Sequence, residues 1–145
     1  MSTFAVQWLE SVRKDGKLKF YKLLKDEVSL FDLFYEEVIK DAKHKKDLLH
    51  ILTMMDYMAE KDEKLPKEKV NSIKEGDKVI GIEFKKNDLR VYCIKQEPDV
   101  YVVLGGYKKN QVKDIKYLKR LLKENKDLKQ ILKRAKPKQI DYDNL

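Results

Sequence analysis

The spacing of apolar and polar residues near the N-terminus predicts two extended segments. Apolar side chains are frequent in residues 4–9 and again in residues 18–24, on either side of Asp15-Gly16. An Asp-Gly pair between apolar runs is typical of a β-hairpin. The second segment is short and could equally form a helix. The pattern therefore predicts a hairpin, with a short helix in place of the second strand as the alternative.

The next part of the chain has a helical period. Ser29 is a favourable capping residue, Asp32 follows three positions later, and apolar residues then recur at helical spacing through Val38. A second, broader apolar stripe covers about residues 44–61, and Pro66 ends the region. The pattern predicts a pair of helices joined by a short link.

After the helical pair, the period changes to that of strands. Three short segments rich in β-branched and aromatic residues, 79–84, 89–95 and 100–104, are separated by polar turns at 85–88 and 96–99. They predict a three-stranded antiparallel meander. Because side chains alternate along a strand, the middle strand should place two sets of residues on opposite faces. These sets are Leu89, Val91 and Cys93 on one face and Arg90, Tyr92 and Ile94 on the other.

A long basic helix should complete the fold. Gly105-Gly106 ends the last strand, a helical repeat begins near Val112, and Pro137 should stop the helix, leaving residues 137–145 as a frayed tail. The expected architecture is α+β: one domain over residues 1–145 with a small twisted antiparallel sheet, an N-terminal helical pair and a C-terminal basic helix. Length alone favours a single domain.

The charge of the chain is concentrated in its C-terminal part. The 33 basic and 25 acidic residues give a net charge of +8. Residues 1–104 carry 20 of each sign, so residues 105–145 carry the whole excess. This asymmetry favours a polyanionic partner, either nucleic acid or an acidic protein, although a solvated lysine-rich helix would give the same count.

Several classes of protein are disfavoured by what the sequence contains. No apolar run approaches the roughly 18 residues of a membrane span, and a single cysteine, Cys93, permits no internal disulfide. A cytoplasmic protein is therefore expected. His44 and His50 are six residues apart and share no face of their helix, and the sequence has no Walker or dinucleotide glycine loop. No metal and no cofactor are expected, and Cys93 is expected in the core.

Three stretches of the chain resemble one family of small proteins. "VIGIEFKKNDLRVYCIK" is similar to its paired strands with an arginine, here Arg90, entering the second strand. "VYVVLGGYKKNQ" is similar to its strand followed by glycine, an aromatic residue and two lysines, and "KDIKYLKRLLKE" stands in the position of its next helix. Together they resemble the RelE/ParE superfamily, the toxins of type II toxin–antitoxin modules, and within it the HigB-like phage-derived group. The resemblance covers about residues 19–124.

The resemblance implies a function and a set of partners. It implies a RelE-like fold and a metal-independent endoribonuclease that cleaves messenger RNA on the ribosome. It also implies a cognate antitoxin, often of the helix-turn-helix type, whose neutral or acidic surface would complement the basic half. The family usually has a further arginine in the strand before the turn, where this chain has Glu83, and it often follows its lysines with threonine and proline, where this chain has Asn110 and no proline.

Cleavage of RNA by its own 2′-hydroxyl requires cationic side chains and can proceed without a metal ion. Negative charge builds on the phosphate oxygens, and a preorganised donor there is worth about 3 kcal/mol. Arg90 is predicted to hold the scissile phosphate, Lys108 or Lys109 to assist proton transfer, and Tyr107 to stack on a base or orient the 2′-hydroxyl. RNA-binding residues are predicted along the meander and the helix: Lys85, Lys86, Tyr92, Lys113, Lys116, Lys119 and Arg120.

Two other functions fit the same sequence. One is a ParE-like toxin that inhibits DNA gyrase without a catalytic cluster. The other is a catalytically degenerate protein of the same fold that binds nucleic acid or an acidic protein through the basic C-terminal helix, which Glu83 favours. The pocket predicted for the nuclease requires the Arg90 side chain to face the corner formed by Tyr107, Lys108 and Lys109.

Overall fold

The computed structural model describes residues 2–61 and 65–138. It is an α+β fold with a six-stranded mixed sheet and four helices in the described part of the chain. The strands are β1 (Phe4–Trp8), β2 (Lys19–Lys25), β3 (Val70–Glu75), β4 (Lys78–Lys86), β5 (Leu89–Gln96) and β6 (Asp99–Tyr107). The helices are α1 (Leu30–Val38), α2 (Ala42–Lys61), α3 (Gln111–Glu124) and α4 (Leu128–Arg134).

The strand order β1-β2-β6-β5-β4-β3 confirms the predicted meander and extends it on both sides. The N-terminal segments are strands and pair antiparallel as a hairpin, with Val6 opposite Leu23. That hairpin joins the sheet through a parallel contact of β2 with β6, so the complete sheet is mixed and larger than the predicted antiparallel meander. The added edge strand β3 was not predicted, because Ile73 is its only buried residue and its pattern is dominated by polar groups.

The helical pair packs on one face of the sheet, as predicted. Ser29 caps α1, since its hydroxyl accepts a hydrogen bond from the backbone N–H of Asp32 at 3.1 Å. The Asp32 carboxylate, however, binds the buried ammonium of Lys22 at 2.9 Å instead of completing a capping box. The apolar residues of both helices and of the sheet face beneath them form the larger core: Phe31, Phe34, Leu48, Ile51, Met55, Phe84, Leu89, Val91 and Cys93.

The C-terminal helices cover the opposite face. Leu118 and Leu121 of α3 and Leu128 and Leu132 of α4 form a second core with strand residues that include Tyr92 and Ile94. The middle strand therefore presents the two side-chain sets predicted for it to the two cores. Cys93 is fully buried, as expected, and burial raises the pKa of its thiol far above the usual value.

The single long C-terminal helix was predicted wrongly. The helix breaks at Asn125, where both the backbone N–H and the side-chain amide donate to the carbonyl oxygen of Leu121, at 3.2 and 2.9 Å. Beyond Pro137, the backbone N–H of Lys138 donates to the Val6 carbonyl at 2.8 Å, so the chain is held against β1 there. The rest of the predicted frayed tail, residues 139–145, lies outside the described residues.

Candidate functional site

The register of the sheet decides which predicted site residues meet. Arg90 lies opposite Gly106 on β6 and opposite Lys85 on β4, whereas Tyr107 lies opposite Leu89. Residues directly opposite each other on neighbouring strands point to the same face. Arg90 and Lys85 therefore share the face covered by α3, and Tyr107 shares the other face with Leu89 and the helical pair.

Tyr107 is held away from Arg90 by its neighbours on that other face. Its ring packs edge-on against Phe34 at 5.6 Å between centroids and lies 5.4 Å from the ring of His44. Burial, together with the nearby carboxylates of Glu37 and Asp41, raises the pKa of its hydroxyl. The prediction that Arg90 and Tyr107 form one pocket is therefore wrong.

Lys108 follows Tyr107 at the end of the sheet where Arg90 also lies. Both groups bond to the two-residue turn between β4 and β5. The Arg90 guanidinium donates through Nη1 to the carbonyl of Asn87 at 2.7 Å, and the Lys108 backbone N–H donates to the carbonyl of Asp88 at 2.7 Å. Asn87 takes a left-handed conformation (φ 50°), which asparagine tolerates and which allows so tight a turn. Lys108 and Lys109 lie in a single 3₁₀ turn and are exposed.

A polar cluster surrounds Arg90 on the α3 face. Glu83 lies directly opposite Tyr92 on β5 and opposite Asn71 on β3. It is 2% exposed, and its Oε2 accepts a hydrogen bond of 2.9 Å from the side-chain amide of Gln111 in the first turn of α3. Sequence reasoning treated Glu83 only as a departure from a family pattern. Two-residue alternation back from the β4–β5 turn would have placed it on the Arg90 face.

Two donors in this cluster are buried without a partner among the described residues. They are Nε of Arg90 and the hydroxyl of Tyr92, and the two residues are 7% and 0% exposed. The second Arg90 bond, from Nη1 to the Leu89 carbonyl at 2.8 Å, leaves Nε unmatched. Because unmatched buried donors are costly, such groups commonly mark a place where a ligand or an ordered water binds.

Asp114 encloses the cluster from α3. Its carboxylate packs directly on Gly106, the strand partner of Arg90, where the absence of a side chain makes room for it. Burial raises the pKa of Asp114, with nearby Lys113 opposing the shift. Burial also raises the pKa of the Tyr92 hydroxyl well beyond the usual range, and the charges of Glu83 and Asp114 add to that shift.

The cluster borders a cavity at the edge of the sheet. The cavity has a volume of about 630 Å³, and Glu83 and Gln111 form part of its wall together with Asn71. When the Asn71 amide is oriented so that both of its ends are satisfied, its oxygen accepts a hydrogen bond of 2.8 Å from Nζ of Lys85. Four lysines also line the cavity: Lys67, Lys74, Lys95 and Lys119. Glu83 therefore forms part of the wall of a cavity that these lysines also line.

The predicted RNA-binding residues are distributed over both faces and the helix. Tyr92 and Lys85 belong to the polar cluster, whereas Lys86 lies opposite Leu89 and faces the helical pair. On α3, Lys113, Lys116 and Arg120 are exposed, and Lys119 pairs with Glu75 at 3.6 Å. The exposed helix lysines thus lie on the outer surface of α3 and not in the cluster beneath it.

Residues 2–61 and 65–138 contain no group of three or more histidine, cysteine, aspartate or glutamate side chains placed to hold a metal ion. None of the helices in this part of the chain has both the length and the apolar character that crossing a bilayer requires. In comparisons with known proteins, no family model, no curated protein and no solved structure matches this chain.

Proposed function

We propose that this protein is a toxin of the RelE/ParE type that cleaves messenger RNA, with its site on the α3 face of the sheet. The observation that carries the proposal is the pair of unmatched buried donors, Arg90 Nε and the Tyr92 hydroxyl, beside the Glu83 carboxylate. Cation, hydroxyl and carboxylate are the groups that in-line attack by a ribose hydroxyl requires. Tyr107 has no part in this site.

The proposed reaction assigns one role to each charged group. The Glu83 carboxylate takes the proton of the 2′-hydroxyl, and the 2′-oxygen forms a bond to the phosphorus while the bond to the 5′-oxygen breaks. Arg90 and Lys85, which lie opposite each other, stabilise the charge on the phosphate oxygens. Lys108 gives a proton to the departing 5′-oxygen. The products are a 2′,3′-cyclic phosphate and a 5′-hydroxyl, and proton transfer from Glu83 to Lys108 through water restores both groups.

The first turn of α3 must move for RNA to reach the cluster, because Glu83, Arg90 and Tyr92 are all nearly inaccessible beneath it. That turn is held by the bond from Gln111 to Glu83 and by the packing of Asp114 on Gly106. Its hydrogen bond from Gln111 involves only one oxygen of Glu83, and Val112 is 69% exposed. The apolar anchors of the helix, Leu118 and Leu121, lie one to two turns farther along. The proposed partners are messenger RNA on the ribosome and an inhibitory antitoxin, and the proposed location is the cytoplasm.

The experiment compares induced expression of the wild type, Glu83→Gln and Arg90→Lys in a bacterial host. Exposed residues supply matched controls, Glu36→Gln on α1 and Arg134→Lys on α4. The wild type and both controls should arrest growth and leave mRNA fragments with 2′,3′-cyclic phosphate ends. Each site variant should lose about 100-fold in cleavage rate. Cleavage by Glu83→Gln and Arg90→Lys at the wild-type rate would refute the site. A soluble wild type that neither arrests growth nor cuts mRNA would refute the function.

A second candidate is a protein of the same fold that binds RNA without cutting it. Two observations favour it. Nη1 of Arg90 already donates to two backbone carbonyls, and Glu83 already accepts a hydrogen bond from Gln111. In the same experiment, growth arrest with intact mRNA and with RNA bound to the purified protein would support this candidate. Induction of a DNA-damage response with intact mRNA would instead indicate gyrase inhibition.

A further inference from the structure

Asp47 is a buried carboxylate to which the proposed reaction gives no role. It lies on α2, directly before the core residue Leu48, and is 6% exposed. Burying a carboxylate is costly unless hydrogen bonds from the protein replace those from water. The group that donates a hydrogen bond to Asp47 therefore indicates what the carboxylate does at this position.

The hydrogen bond of Asp47 connects α2 to the turn between β4 and β5. Its Oδ1 accepts a hydrogen bond of 3.0 Å from the side-chain amide of Asn87, 40 residues farther along the chain. Its Oδ2 is buried as well and has no partner within residues 2–61 and 65–138. Asp47 thus holds the side chain of Asn87 from the helical-pair side of the sheet.

Asn87 also holds Arg90, through its backbone carbonyl. That carbonyl accepts the hydrogen bond of 2.7 Å from Nη1 of Arg90. The left-handed backbone of Asn87 (φ 50°) determines where the carbonyl points, and contacts of the side chain help to maintain a conformation that costs a non-glycine residue free energy. Two consecutive hydrogen bonds therefore join Asp47 on the helical-pair side to Arg90 on the α3 side.

We propose that Asp47 is a positioning residue for Arg90, an inference that rests on the function proposed above for Arg90 in RNA cleavage. By holding the Asn87 side chain, Asp47 fixes the carbonyl that engages Nη1 of Arg90. Nε of Arg90, which lacks a partner among the described residues, is thereby kept in one place in the cluster. A catalytic donor has to be held within about 0.5 Å of its productive position, and supporting hydrogen bonds provide this. Asp47 acts through Asn87 and does not touch the RNA.

The position of Arg90 can be measured without a cleavage assay. In protein isotopically labelled at the arginine nitrogens, the Nε–H resonance that is missing from Arg90→Lys identifies the signal of Arg90. Asp47→Ala and Asn87→Gly should each shift this signal and raise its rate of exchange with solvent at least about tenfold. Arg13, whose Nε donates to Asp56 at 3.0 Å, supplies a reference signal that should not change.

Two mild substitutions separate positioning from a general loss of stability. Asp47→Asn keeps an oxygen that can accept from Asn87, so it should preserve both the Arg90 signal and cleavage within about threefold. Asn87→Gly removes the side chain but adopts a positive φ without strain, so the turn itself should persist. Matched controls are Glu36→Ala, an exposed carboxylate of α1, and Glu27→Gly, another left-handed residue (φ 70°).

Cleavage of a defined messenger RNA by purified protein and ribosomes gives the catalytic readout. Asp47→Ala and Asn87→Gly should each lower kcat about tenfold and change KM by less than about twofold, because Arg90 is still present but is less well placed. The double variant should lose no more than either single variant, since both changes act on one path. The two controls should cleave as the wild type does.

The two readouts separate failure of this inference from failure of the proposed function. An unchanged Arg90 signal in folded Asp47→Ala or Asn87→Gly would overturn the positioning role, and so would additive losses of kcat in the double variant. Asn87→Gly provides the same test if Asp47→Ala does not fold. A wild type that does not cleave RNA would refute the proposed function, while the Arg90 signal would still show whether Asp47 positions Arg90.

Discussion

Arg90 and Tyr107 lie on opposite faces of one sheet, although they are only one residue out of register. Arg90 is paired with Gly106, the residue before Tyr107, and Tyr107 is paired with Leu89, the residue before Arg90. A displacement of one residue in register is enough to reverse the face to which every side chain of a strand points. The structure thus separates an arginine and a tyrosine that a linear motif places together. Tyr92, two residues from Arg90 on the same strand, takes the position beside it.

Tyr107→Phe should leave RNA cleavage unchanged within about twofold, whereas Arg90→Lys lowers it by about 100-fold. The hydroxyl of Tyr107 faces Glu37 and Asp41 on the helical side and has no access to the cluster. Cleavage of a defined messenger RNA by purified protein and ribosomes would measure both effects. A large loss of cleavage activity in Tyr107→Phe, with the urea midpoint of unfolding unchanged, would instead support the pocket of Arg90 and Tyr107 that was predicted from the sequence.

Tyr92→Phe should stabilise the protein while lowering its activity. The hydroxyl is buried without a partner, so removing it relieves a penalty of about 1 kcal/mol. If the same hydroxyl binds the phosphate, cleavage or RNA affinity falls, as expected when a functional group is kept at a cost in stability. Urea unfolding and RNA binding should be measured on the same preparation. Unchanged RNA binding together with higher stability would remove Tyr92 from the site.

Local sequence patterns predicted most elements of this fold. Ser29 marked the start of α1, and alternation in residues 89–94 assigned each side chain of β5 to its correct face. These features depend on residues that are neighbours in the chain, so capping preferences and the spacing of apolar residues predict them. The break at Asn125 is not marked by the apolar spacing, since Leu128 and Leu132 of α4 join the same core as Leu118 and Leu121 of α3. A helical repeat that continues through the break does not reveal this.

The candidate site was harder to predict because it depends on register and on helix placement. The family resemblance identified Arg90, and the same meander supplied Lys85 and Tyr92, which lie on the same face of the sheet. The resemblance, however, assigned the aromatic role to Tyr107. The parallel contact between β2 and β6 joins residues far apart in the chain. The packing of Asp114 on Gly106 depends on how α3 is placed over the sheet. The sequence carried one usable signal for Glu83, its two-residue offset from Lys85, which pairs with Arg90.

Gly106→Ala should destabilise the protein by about 1 kcal/mol, because an added methyl group would displace the Asp114 carboxylate from its place against the strand. Asp114→Ala in the same chain should restore much of that loss, giving a strongly non-additive double-mutant cycle. Urea unfolding of the two single variants and the double variant measures the coupling. Additive losses would mean that α3 does not hold Asp114 against Gly106.

Asp114→Asn should change the pH dependence of stability in the direction opposite to Asp56→Asn. Burial raises the pKa of Asp114, so the folded protein binds that proton more tightly than the unfolded chain does. The stability contributed by its neutral form is therefore present at low pH and is lost as pH rises through the raised pKa. Asp114→Asn keeps the shape of the side chain and removes this loss. It should accordingly be more stable than the wild type near neutral pH, and its advantage should shrink on acidification.

The pKa of Asp56 is shifted the other way. Arg13 donates to its carboxylate at 3.0 Å from the side chain and at 2.9 Å from the backbone, which lowers the pKa. The contribution of this ion pair is present above the usual aspartate pKa and disappears as pH falls through the lowered value. Asp56→Asn should therefore be less stable than the wild type near neutral pH, with a deficit that narrows in acid. Urea midpoints measured from about pH 3 to 7 would compare the two variants. Differences of the same sign in both would show that Asp114 is stabilised as a carboxylate, contrary to its burial between α3 and β6.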